Sequence, residues 1–81
     1  MIMEKEYVNH PDHYQSPNGI ECIDAIAAAT AHLKGEEAFC TASAIKYLWR
    51  WRLKLRPSED LKKARWYIDR LLSKMEAKNE D

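Results

Sequence analysis

At 81 residues, 46% of them apolar and 32% charged, the chain can build one hydrophobic core but not two, and it is too apolar for a disordered tail. Its formal net charge is zero, which argues against the phosphate footprint of a nucleic-acid binder. No signal sequence opens it and no apolar run approaches the ~20 residues that cross a bilayer, so the expectation is a cytoplasmic protein without a membrane partner.

The zero total hides a segregated charge. Residues 1–33 carry Lys5 against Glu4, Glu6, Asp12, Glu21 and Asp24, whereas residues 46–70 carry nine basic side chains against Glu59, Asp60 and Asp69. Either the halves neutralise one another, within or between subunits, or the basic half meets an anionic ligand. A core this thin rarely supplies more than about 3–5 kcal/mol, so self-association into a homo-oligomer is expected.

In chain order, residues 1–18 contain Pro11, Pro17, Asn9, Asp12, Ser16 and Asn18 and lack a helical period, which predicts an extended N-terminal arm. Residues 19–75 read as an all-α three-helix domain, and residues 76–81 as a frayed tail. Asn18 with Glu21 has the spacing of a capping box, predicting a first helix over 20–33, with Gly35 as its left-handed stop. The second helix is expected from Glu36 to Leu55, its acidic start favoured by the helix dipole and its end imposed by Pro57. Thr41, Ala44, Ile45, Leu48, Trp51 and Leu55 share one side and are the expected core, with Lys46, Arg50 and Lys54 on the opposite side. Ser58 is the expected cap of the third helix, whose core positions Leu61, Ala64, Ile68, Leu71 and Met75 keep the spacing of a helix-pairing seam.

Candidate chemistry concentrates in the last two helices. With only Gly19 and Gly35, neither a P-loop nor a dinucleotide-binding loop can form. Lys46, Tyr47, Trp49, Arg50 and Arg52 interleave cations with aromatics, and Lys62, Lys63, Arg65, Trp66 and Tyr67 repeat the pattern. Cations that grip phosphate beside rings that stack on a base have this composition. A solvated basic face with tryptophans as core and interface anchors has it as well. Two such helices packed antiparallel would gather both sets around one anion, and the surplus of Trp and Tyr marks Trp49 and Trp66 as candidate interface residues.

His10, Asp12 and His13 lie close in sequence but on a Pro-containing arm with no supporting scaffold, so no metal is expected. Glu21 and Asp24, at i and i+3, suit capping and a salt bridge as well as proton work. Cys22 and Cys40 form no CxxC pair and have no paired base, which fits a reducing compartment and argues against nucleophilic catalysis. No cofactor is called for, and no catalytic residue can be assigned.

Four blocks taken together are specific: Val8 to Tyr14, Gly19 to Ile26, Ala44 to Arg52 and Glu59 to Ile68. In this order they resemble the SaV-like domain of small tailed-phage proteins, over residues 8–72. That family includes a longer nucleotide kinase of short-tailed coliphages that acts on deoxynucleoside monophosphates. The resemblance implies a nucleotide or other small anionic ligand held by Lys46, Arg50 and Lys63, with His13 and Tyr14 brought in from the arm; Tyr47, Lys54 and Tyr67 join them as candidate binding residues from the basic-aromatic pattern. It also implies an infected host cell as the setting. The alternative is a non-catalytic protein that binds a host defence or replication factor, or sequesters a nucleotide signal. Many members have a glycine-containing turn where this chain reads Lys54-Leu55-Arg56-Pro57-Ser58.

Overall fold

The computed structural model describes residues 16–79, and all of its regular structure is helical. Residues 16–19 make a tight turn closed by the Gly19 N–H donating to the Ser16 carbonyl at 3.1 Å. Pro17, with its fixed φ, occupies the second turn position, and Gly19 takes the left-handed φ of +82° that closes the turn without strain. The Ser16 hydroxyl lies 2.7 Å from both Asn18 Oδ1 and the Ile20 carbonyl, between which its one hydrogen is shared.

Helix α1 spans Cys22–Ala29, shorter at both ends than the periodicity predicts. Its N-cap is Glu21, extended and without a side-chain cap bond, so the Asn18–Glu21 capping box does not form; Asn18 is engaged by Ser16 instead. At the other end the Thr30 hydroxyl donates to the Ile26 carbonyl at 2.8 Å. That bond competes with the helix ladder and turns the chain five residues before Gly35. Gly35 does adopt the left-handed region, at φ +56°, but it opens the second helix instead of closing the first.

Helix α2 spans Gly35–Arg50 and tightens into a single 3₁₀ turn, Trp51–Leu53. The chain is already extended at Lys54, so the helix stops well before Pro57. Pro57 is the first residue of helix α3 (Pro57–Lys78), a position where its missing N–H costs nothing. Ser58 therefore lies inside the helix and caps nothing. At the far end Asn79 closes the helix in the left-handed conformation, so Glu76, Ala77 and Lys78, assigned to the tail, belong to the helix.

Helices α2 and α3 pack as an antiparallel hairpin, and α1 lies on α2. The hairpin is pinned at both ends. Near the connection the Arg50 Nε donates to Asp60 Oδ2 at 3.0 Å. At the open end Glu36 receives Arg70 Nη2 at 2.7 Å and Lys74 Nζ at 3.0 Å. Among the described residues the buried set is Cys22 on α1, Cys40, Ser43 and Ala44 on α2, and Asp60 and Ala64 on α3, and no large side chain is fully buried. Close helix approach through small side chains, not interdigitated leucines, defines this core. Ala64→Leu is expected to destabilise by about 1–3 kcal/mol, read as a lower thermal midpoint, because the hairpin cannot open without stretching the pins at its ends.

Two expectations about faces are corrected. Leu48, Leu61 and Ile68 are exposed, and Leu55 is 93% exposed because the chain has left the helix there. Arg50, expected to point away from the core, instead faces α3 with a side chain only 15% exposed. Ala44, expected in the core, is buried, and Ser43, which was not, is buried beside it, whereas the larger Leu48 of the same expected side is exposed.

Candidate functional site

The hairpin brings much of the basic-aromatic pattern to one place, centred on Tyr47. Its ring stacks on Tyr67, with centroids 6.1 Å apart and planes inclined by 13°. Tyr67 in turn meets Phe39 edge-on at 5.8 Å and Trp66 at 5.0 Å. Three cations surround the same Tyr47 ring: Lys46 Nζ at 4.7 Å, the Arg50 guanidinium at 4.9 Å and Lys63 Nζ at 5.4 Å from its centroid. Lys46 and Arg50 arrive from α2 and Lys63 from α3, so the cluster exists only when the two helices pair.

The three cations are not equivalent. Arg50 forms a two-contact pair with Asp60, Nε to Oδ2 at 3.0 Å and Nη2 to Oδ1 at 3.5 Å. Asp60 is buried in the first turn of α3, where the positive end of the helix dipole also favours its charge. Among the described residues no carboxylate pairs with Lys46 or Lys63. Within the described residues the cluster therefore carries two ammonium charges beyond those neutralised in place. The electron-rich ring face offsets part of their mutual repulsion, and an anion placed between them would offset the rest.

Phe39 and Trp66, at 62% and 60% exposure, extend the aromatic run outward from Tyr67 as open planar surfaces. Trp49 is half-buried. Lys54 lies in the extended segment after the 3₁₀ turn, which interrupts the four-residue ladder from Lys46 through Arg50. Helical spacing turns Lys62 and Arg65 away from the α2 side that Lys63 faces. His13 and Tyr14, with His10 and Asp12, lie outside the described residues. Phe39, Asp60 and Glu36 have roles that the sequence reading did not assign. The signal for Phe39 was present in its four-residue spacing through Ser43 to Tyr47.

The buried Cys22 thiol is pushed up by burial, against the opposing pull of nearby Lys46 and Arg50, so it stays protonated and a poor nucleophile. Among the described residues no group of three His, Cys, Asp or Glu side chains is arranged to hold a metal, and no helix is long and apolar enough to cross a membrane.

At the open end, the hydrogen bonds from Lys74 and then Arg70 hold the Glu36 carboxyl below the usual glutamate range. A lowered folded value gives stability that is complete above the unfolded value and is lost as pH falls through the folded one. Glu36→Gln is therefore expected to flatten the decline of stability on acidification below the ordinary glutamate range. Thermal melts of the two proteins across that range check it.

A family described as "Protein of unknown function (DUF3310)" matches residues 8–69, a span that holds α1, α2 and the first half of α3 with every cation of the Tyr47 cluster. No curated protein and no solved structure matches the chain.

Proposed function

Because the chain belongs to the DUF3310 family, whose description assigns no activity, we propose from its own geometry that it binds a nucleotide, with the phosphate at Lys46 and Lys63. The observation that carries this reading is the convergence on one tyrosine ring of two lysines that pair with no carboxylate among the described residues, beside open aromatic surfaces. A phosphate supplies three acceptor oxygens to the ammonium groups, and Phe39 or Trp66 supplies a face on which a base stacks. Arg50, held by Asp60, serves as a fixed positive wall beside the phosphate.

The resemblance to SaV-like phage proteins supports a deoxynucleoside monophosphate as the ligand and the infected host cytoplasm as the setting. It also supports a finer reading, a nucleotide kinase without a P-loop, for which no donor site is assigned on these residues. The test is thermal stabilisation by deoxynucleoside mono- and triphosphates. A ligand that binds only the folded state raises the midpoint, by about 2.7 kcal/mol of stability at a hundred times its Kd. No shift at millimolar ligand defeats the binding reading, and conversion of a labelled monophosphate in the presence of a triphosphate separates kinase from binder.

The exposure of Trp66 and Phe39 favours a second reading, a non-catalytic protein that uses these rings as anchors for a host protein. Under that reading Trp66→Ala abolishes capture of the partner, while Lys46→Ala and Lys63→Ala leave it intact.

A further inference from the structure

Helix α3 carries a second surface, away from the Tyr47 cluster, that nothing in the hairpin uses. Leu61, Ile68 and Leu72 are exposed, and Met75 is half-buried at their C-terminal end. With Arg65 they repeat every four and three residues, so they form one stripe along the helix. This seam is offset from the side that meets α2, whose contacts come from Asp60, Lys63, Tyr67, Arg70 and Lys74. The first helix packs on α2.

We propose that this stripe is a homodimer interface in which α3 pairs with the α3 of a second copy, antiparallel about a two-fold axis near Ile68. Two features select this occupant. The apolar stripe has nearly the same spacing read from either end, with Leu61 seven residues before Ile68 and Met75 seven after. An antiparallel copy therefore sets the Leu61 end of one helix against the Met75 end of the other.

The charges beside the stripe are the second feature, and they decide the direction. On one flank the N-terminal half carries Lys62, beside Arg65 of the stripe itself, and the C-terminal half carries Asp69 and Glu76. A parallel copy would set this flank against the opposite flank of its partner, where Ala64 and Leu71 lie, and leave its charges without counterparts. An antiparallel copy brings Lys62 and Arg65 of each chain to the acidic half of the other and opposes the helix dipoles favourably. An isologous interface of this kind uses the same patch twice, so every favourable contact is doubled. It also buries apolar surface that the small-residue core leaves exposed.

Sedimentation equilibrium on the full chain tests the proposal. The expected result is a dimer for the native sequence and a monomer for Ile68→Glu. Because Ile68 is 41% exposed in the single chain, that variant is expected to keep its helical circular dichroism. The reversals Lys62→Glu and Glu76→Lys are each expected to raise the dimer Kd about tenfold, since each disturbs two symmetry-related pairs, and the double reversal is expected to restore it. A native chain that stays monomeric, or a dimer indifferent to Ile68→Glu, overturns the interface. Failure of the double reversal to rescue the singles overturns the antiparallel arrangement.

Discussion

Asp60→Asn is expected to remove about 3 kcal/mol of stability, more than any other single change to the hairpin. The carboxylate is buried, and the Arg50 guanidinium it faces is only 15% exposed, so the substitution leaves a largely desolvated cation without its charged partner. Breaking a buried pair by removing one member typically costs 3–5 kcal/mol. The lower end applies because Arg50 also faces the Tyr47 ring and makes contacts besides the Asp60 pair. For a chain of this size the loss corresponds to a fall of roughly 12–24 °C in the thermal midpoint. It is comparable to the whole of the about 3–5 kcal/mol a single small core supplies, so Asp60→Asn should sit close to unfolding.

The companion experiment separates a charge requirement from a packing requirement. Exchanging both partners for apolar residues of similar size, Arg50→Met with Asp60→Leu, removes the stranded charge and should recover most of the midpoint. A double variant as unstable as Asp60→Asn would mean that the pair fixes the register of α2 on α3, and that its energy is not simply the avoidance of an unpaired ion.

The Asp60 case shows where the sequence stops being legible. Three helices follow from the apolar period, and all three form. Their ends do not follow, because the capping box at Asn18 and Glu21 is a local pattern that a neighbouring serine outcompetes, and because Thr30 has a back-bond to Ile26 available. The period also fixes only which residues share a side, not which side meets a neighbour. Lys46, Arg50 and Lys54 looked like an outer stripe because leucines and Trp51 stood opposite, yet Leu48 and Leu55 are exposed and Arg50 is turned inward onto Asp60. Asp60 was hidden for a different reason: an acid in the first turn of a helix already has a local explanation in the dipole. The convergence of Lys46, Arg50 and Lys63 was the tertiary feature that could be anticipated, since a short connection between two basic helices forces an antiparallel pair.

The largest functional effect is expected from the two lysines. Lys46→Ala and Lys63→Ala should each weaken nucleotide binding by roughly ten- to a hundredfold, since a hydrogen bond to a charged group contributes about 1.5–3 kcal/mol. The double variant should show no thermal stabilisation at millimolar ligand. Both lysines lie against the same ring, so their effects are expected to be coupled: once one is absent the phosphate can shift toward the other, and the second substitution then costs a different amount from the first. Lys78→Ala, in the last turn of α3 at the far end of the hairpin, changes the net charge equally and should leave affinity unchanged. Trp66→Ala isolates the base from the phosphate, because a stacking contact is worth about 1–3 kcal/mol and its loss should be insensitive to salt, whereas the lysine contribution weakens as ionic strength rises. If Lys78→Ala reduced affinity as much as Lys63→Ala, attraction would come from the diffuse field of the basic half and the Tyr47 cluster would have no special claim on the ligand. Titrations of the native chain and these five variants at two salt concentrations decide between a built pocket and a charged surface.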